Sequence, residues 1–303
     1  MIRRFFPVAS VIGALVLGVA PPAGATVGCA YVANSVDGTV SVVDVTSAVV
    51  TSSITVGSGA HAIAVSPDGA RAYVVNADDD TVSVIDTSSN AVVATVPLGD
   101  GPVGLVITPD GTRLYVALAF DQDVVVVDTT TNTVTSTIFV GGRPYGAALS
   151  PAGTEVFVTA FTADVLVVID SNPASGTYNS VIGTVSVGDE PVAVTVSPGG
   201  GTAFVANFGG GTLSVVDTMS STVVTTVSVG VRPVGVAVSP DGSLVYVTNS
   251  LDDTVSVVST SSNTVTATIS VGSNPRAVAF VACPGSGSAE PAQPPVVGPA
   301  YTG

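Results

Sequence analysis

The stretch Val231–Gly272, VRPVGVAVSPDGSLVYVTNSLDDTVSVVSTSSNTVTATISVG, decides the fold, because most of the remaining chain is a copy of it. Four apolar, largely β-branched runs follow one another: Pro233–Ser239, Leu244–Asn249, Thr254–Ser259 and Thr264–Val271. Turns separate them. Ser239-Pro240-Asp241-Gly242 joins a proline that presets φ to a glycine that accepts φ > 0; Leu251-Asp252-Asp253 and Ser261-Ser262-Asn263 make the other two. Runs of about six residues with turns every 8–12 or so predict an antiparallel four-stranded meander. Val255, Val257 and Val258 flank Ser256, so both faces of that sheet are apolar or small. Such a sheet must stack on copies of itself, and four strands in a period of about 40–50 residues predict a β-propeller.

The copies are found by aligning the start of the second run. It falls at Tyr31, Tyr73, Tyr115, Phe157, Phe204 and Tyr246, at spacings of 42, 42, 42, 47 and 42. The five extra residues of the fourth unit lie in an enlarged hairpin loop, Ser171–Ser180. The Ser-Pro-Asp-Gly-like turn begins at Ser66, Thr108, Ser150, Ser197 and Ser239, one fewer than the second strands. The missing first strand is found at the other end of the chain, where Pro275–Phe280 aligns with Pro233–Val238. The expectation is an all-β propeller of six four-stranded antiparallel blades, closed by a composite blade that joins the two ends and removes an open edge. Cys29 falls on the Leu244 position and Cys283 on the Asp241 position. They flank the one turn that has no peptide link, so a Cys29–Cys283 disulfide is expected to replace it, stabilising by up to about 5 kcal/mol in the chain-entropy picture.

Composition narrows the partners. The 303 residues are 46% hydrophobic and 10% charged, with no lysine, no tryptophan and a formal net charge of −15. Phosphate backbones need basic patches, so nucleic acid is excluded as an expected partner, and anionic membrane surfaces are disfavoured likewise. Residues 1–25 read as a secretory leader: Arg3 and Arg4, then the apolar core Val8–Ala20, Pro21-Pro22, and the small-residue site Ala23-Gly24-Ala25. The expected domains are thus a leader at 1–25, one propeller at 26–283, and a flexible Pro/Gly-rich tail at 284–303. Cleavage near Ala25 would leave no membrane-spanning segment and a monomer in the periplasm, at the cell surface or outside the cell. The route, general secretory or twin-arginine, stays open.

Tyr246-Val-Thr-Asn249, Thr254-Val-Ser-Val-Val258, Val271-Gly272 and Val238-Ser-Pro-Asp-Gly242, recurring in order at a 42-residue period, resemble the YVTN β-propeller repeats of YncE-like secreted proteins and surface-layer proteins. The resemblance covers about 28–283. It implies a propeller that is usually non-enzymatic, extracytoplasmic and engaged in binding; many members have seven blades, against six counted here. Related propellers include lactonases, streptogramin lyases and quinoprotein dehydrogenases, so the fold alone does not fix the function.

Function is sought where the repeats disagree. Chain direction alternates, so the loops leading into each first strand share one end of the propeller with the loops between second and third strands. Around the repeated proline those positions read Gly59/His61, Gly101/Val103, Arg143/Tyr145, Glu190/Val192, Arg232/Val234 and Asn274/Arg276. His61, Arg143, Tyr145, Glu190, Arg232 and Arg276 are the candidate binding residues; arginine forks there suit a small anion or carboxylate. The acidic loops Asp78-Asp79-Asp80, Asp121 and Asp123, and Asp252-Asp253 share that end and read as turn residues. The aspartate after the third strand of five blades, at Asp44, Asp86, Asp128, Asp170 and Asp217, reads as a turn cap. One histidine and no Gly-x-Ser-x-Gly elbow leave no catalytic set and no metal site, and no cofactor is expected. The chain therefore reads as a secreted, non-catalytic scaffold binding an envelope or extracellular protein or a small ligand. The alternative is a lactonase-like or lyase-like hydrolase with a channel metal, using Glu190 with Asn76, Asn207 and Asn249.

Overall fold

The computed structural model describes residues 15–16, 29–44, 47 and 49–278. They form six four-stranded antiparallel sheets, each a simple meander from the innermost strand to the outermost, and contain no helix. No helix long and apolar enough to cross a membrane is therefore found among them. In blade 6 the strands are Pro233–Val238, Leu244–Asn249, Thr254–Ser259 and Thr264–Ser270, within one residue of the runs read from the sequence. The first strands of blades 2 to 5 are Ala60–Val65, Pro102–Ile107, Pro144–Leu149 and Pro191–Val196.

Neighbouring blades bury their faces against each other. Tyr115, Val124, Val126 and Ile138 of blade 3 meet Val156, Val158, Val167 and Ile169 of blade 4, and the pattern repeats between blades 1 and 2, 2 and 3, 4 and 5, and 5 and 6. Each buried Val or Ile contributes about 1.5–3 kcal/mol relative to exposure. Polar links cross two of these interfaces from a tyrosine in the second strand: Tyr31 donates to Asn90 Oδ1 and Tyr115 to Asn179 Oδ1, both at 2.7 Å. The enlarged loop of blade 4 supplies Asn179 and Tyr178, and Arg113 of blade 3 donates to the Tyr178 hydroxyl (2.9 Å) and stacks on its ring. That insertion is therefore a clasp onto the preceding blade.

Near the axis the first strands approach so closely that small residues are required. A Cβ at Gly104 would collide with the Tyr145 carbonyl, one at Gly146 with the Val192 carbonyl, and one at Gly235 with the Arg276 carbonyl. The last of these places Arg276 and Ala277 beside blade 6 where the first strand of a following blade belongs, as the repeat alignment requires.

The composite blade needs correction. The strand paired to Cys29–Asn34 is Leu15–Val16, with Leu15 opposite Val32 and Val16 opposite Tyr31. Residues 275–278 carry no strand pairing. The exposed inner edge of Cys29–Asn34 accepts any apolar extended segment in reach, and Leu15–Val16 is one. Cys29 is exposed and its thiol is free. Residues 279–283, with Cys283, lie outside the described residues, as do the rest of 1–25 and the tail at 284–303. The outer strand of blade 6 is less covered than its counterparts in the other blades. Ile269 is 44% exposed, whereas Ile54, Val96, Ile138, Val185 and Val227 at the same place are at most 7% exposed.

Candidate functional site

One end of the propeller repeats faithfully. The side-chain oxygen of Ser66, Thr108, Ser150, Ser197 and Ser239 accepts the N–H of the residue that opens the next strand, at 2.9–3.1 Å. Asp44, Asp86, Asp128, Asp170 and Asp217 accept backbone N–H groups two or three residues on, which is the capping expected of them. Hydrogen bonds from Ser239 and Ser243 hold the Asp241 carboxyl at about 2. At Asp110 partial burial pushes upward, but bonds from Thr108 and Thr112 prevail and the group sits at about 2.

The other end is built on the same backbone frame with unlike side chains. The loop before each first strand bonds the loop after the second: the N–H groups of Ala77, Ala119, Phe161, Phe208 and Ser250 reach the carbonyls of Gly59, Gly101, Arg143, Glu190 and Arg232 at 2.8–3.0 Å. The accepting position is left-handed throughout, at φ +71° for Gly59, +72° for Gly101, +55° for Arg143, +52° for Glu190, +54° for Arg232 and +57° for Asn274. Glycine adopts that conformation freely; a side chain pays about 1 kcal/mol or more for it. Two blades use glycine, so arginine and glutamate at the same position are held there against a local preference.

Two residues on, the first strand is bulged. The register slips between Ala60 and Ile63, Pro144 and Ala147, Pro191 and Ala193, and Pro233 and Gly235. A bulge re-aims the unpaired side chain, and here the unpaired residues include His61, Tyr145, Val192 and Val234. His61 Nδ1 donates to the Val103 carbonyl at 2.9 Å. A carbonyl only accepts, so the neutral ring keeps its Nε2 lone pair for another donor. Burial lowers the imidazole below its usual range and Arg276 lowers it further, against the Val103 carbonyl and Asp78. Burial raises the Tyr145 hydroxyl against the pull of Arg143 and Arg276. Burial lowers Arg276 from its ordinary value, and the neighbouring Arg232 adds to the shift while Tyr145 opposes it. Arg276 thus sits within electrostatic reach of His61, Tyr145 and Arg232, and its buried Nε has no hydrogen-bond partner.

Arginines and phenylalanines interleave around this mouth. Arg143 lies over the Phe120 ring of the preceding blade at 5.1 Å, and Arg232 over Phe208 at 5.2 Å. Tyr145, Phe161 and Phe208 continue as a ring-to-ring series at 5.8 and 6.5 Å. A pocket of about 420 Å³ opens between blades 5 and 6, lined by Phe208, Arg232, Ser250, Leu251, Asp253, Ser273, Asn274 and Arg276. By contrast Arg71 pairs with Asp86 and Arg113 with Asp110 at the regular end. Arg232 and Arg276 make no ion pair among the described residues.

Five of the six candidate residues, His61, Arg143, Tyr145, Arg232 and Arg276, gather at this mouth. Glu190 occupies the equivalent left-handed position but lies against Gly209 of its own blade. The acidic loops serve the frame: Asp79 accepts Ser58 N–H (2.7 Å), Asp80 Gly101 N–H (3.0 Å), Asp121 Asp100 N–H (2.8 Å) and Asp252 Val231 N–H (2.7 Å). No group of three or more His, Cys, Asp or Glu side chains comes together among the described residues. Asn76, Asn207 and Asn249 are committed within their own blades, donating to Thr81 and Ser83, Thr212 and Ser214, and Thr254 and Ser256. They do not form a channel set with Glu190. Phe120, Phe161 and Phe208 were not singled out from the sequence. The available signal was that three of the chain's nine phenylalanines fall one or two residues after second strands, in three consecutive repeats.

Residues 7–119 match the family model of YNCE-like beta-propellers. The YncE-like resemblance read from the repeats holds. No curated protein matches the sequence. Among solved structures, a functionally unknown protein from Desulfotomaculum acetoxidans DSM 771 superposes with a TM-score of 0.69 at 22% identity, covering 77% of this chain and 75% of that one. Kuenenia stuttgartiensis hydrazine synthase superposes with a TM-score of 0.54 at 21% identity, covering 78% of this chain and 93% of that one. At these identities the likeness shows the propeller fold and carries no activity across.

Proposed function

We propose that this YncE-like propeller is an exported, non-catalytic binding scaffold whose ligand or partner docks on the arginine-bearing end. One observation carries the reading. Arg143, Arg232 and Arg276 collect at one mouth of an acidic protein, and Arg232 and Arg276 line one pocket with no ion pair among the described residues, while Arg71 and Arg113 at the other end are both matched to carboxylates. Neighbouring cations that outnumber the carboxylates around them cost stability, and an arriving anionic group removes that cost. The left-handed backbone at Arg143 and Arg232 points the same way, since glycine fits that position with less strain. Export rests on the leader-like 1–25, and the mature chain is expected to begin at Thr26, which frees the edge of Cys29–Asn34 that Leu15–Val16 occupies in the uncleaved chain. Intact-mass measurement of the protein recovered from the producing cells tests that cleavage; a chain still starting at Met1 overturns it. For the binding face, Arg143→Ala with Arg232→Ala is expected to leave folding intact and abolish capture from the envelope fraction.

A further inference from the structure

The pocket between blades 5 and 6 defines its ligand more narrowly. Arg232 sits over the Phe208 ring, its Cζ 5.2 Å from the centroid, and both residues line the cavity. Arg276, with its unpartnered buried Nε, lines the same cavity. Asp253 stands on the rim and is only partly engaged, its Oδ1 accepting Asn274 N–H at 2.7 Å. Two cations and one carboxylate leave one net positive charge, which matches a monoanion and disfavours phosphate-like dianions. The Ser250 hydroxyl is already given to the Arg232 carbonyl (2.9 Å), which leaves Ser273 and Asn274 as the neutral polar groups of the lining. A carboxylate's two oxygens match two guanidinium groups. The apolar part of the wall is Leu251, 58% exposed, and the Phe208 ring. The cavity, at about 420 Å³, has room for more than a bare acid group.

We infer that this pocket takes a small organic monocarboxylate with an apolar body, its carboxylate on Arg232 and Arg276 and its apolar part against Leu251. The inference rests on reading the arginine-bearing end as the binding face. The test is titration calorimetry of the purified protein at neutral pH and low salt with 3-phenylpropionate, acetate, inorganic phosphate and 3-phenylpropionamide. Phenylpropionate is expected to bind at least about tenfold more tightly than acetate or phosphate, and the amide not at all. Arg276→Gln and Arg232→Gln should each weaken phenylpropionate by about 30-fold with the melting temperature unchanged, and Leu251→Ser by a smaller factor. Phosphate binding most tightly, with the same arginine dependence, overturns the carboxylate assignment and leaves the face standing. Phenylpropionate binding that ignores both arginine substitutions overturns the site. Silence of all four probes overturns the ligand class, and the capture experiment with Arg143 and Arg232 then judges the face separately.

Discussion

The two ends of this propeller share one backbone and differ in what their side chains are occupied with. At the Ser-Pro-Asp-Gly end, hydroxyls and carboxylates are taken up by N–H groups of their own turns, blade after blade, and both arginines are paired. At the opposite end the backbone frame is equally regular, but arginines, a histidine, a tyrosine and phenylalanines vary from blade to blade. The difference teaches where to look in a repeat protein. Positions that repeat are absorbed by the fold, and positions that break the repeat while keeping its backbone geometry are free to bind.

Substitutions at the two ends should therefore separate stability from binding. The largest stability effect is expected at the regular end. Ser239 is buried, accepts Leu244 N–H at 3.0 Å and donates to Asp241. Ser239→Ala leaves a buried N–H unsatisfied and should cost about 1–3 kcal/mol in denaturant unfolding, with ligand capture unchanged. Acid comes next. The carboxyls of Asp110 and Asp241, at about 2, lie below the unfolded value near 3.9. A depressed folded pKa contributes stability that is fully present above roughly pH 4 and is lost as pH falls towards 2. Melting temperature should drop across that window, and Asp241→Asn should flatten the drop; a flat wild-type profile from pH 5 to 2 contradicts this. The smallest effect is expected at the other end and has the opposite sign. Arg143→Gly relieves a residue at φ +55° and should leave the protein unchanged or stabilised by up to about 1 kcal/mol, while weakening binding. A marked loss of stability there would make Arg143 a structural residue.

Strand boundaries were legible in the sequence because Val-rich runs and Pro-Asp-Gly turns recur at a fixed period. The binding end was legible as well, since residues around the repeated proline stand out once the copies are aligned. Other features depend on how blades meet in space. Phe120 reaches Arg143 and Phe208 reaches Arg232 only because each loop abuts the next blade. The role of Tyr178 and Asn179 as a clasp likewise depends on Arg113 and Tyr115 one blade earlier. The first strand of blade 1 was assigned by alignment to 275–280, yet Leu15–Val16 is paired there. A short apolar edge specifies its partner weakly, and local pairing is available to any β-compatible segment nearby. Peptide mapping under non-reducing conditions bears on that strand: a Cys29–Cys283 bridge would put the C-terminal run beside Cys29–Asn34, and two free thiols would remove the case for it.

The central claim is that the arginine-bearing end binds and the regular end does not. It is tested most directly by capture from the producing organism's envelope fraction with three proteins: wild type, the Arg143→Ala/Arg232→Ala double substitution, and Met219→Asp on the regular end, where Met219 is 93% exposed. The expected result is loss of capture by at least about tenfold in the double arginine variant alone, with all three melting alike. Capture that survives loss of both arginines, or that fails only in Met219→Asp, would contradict it.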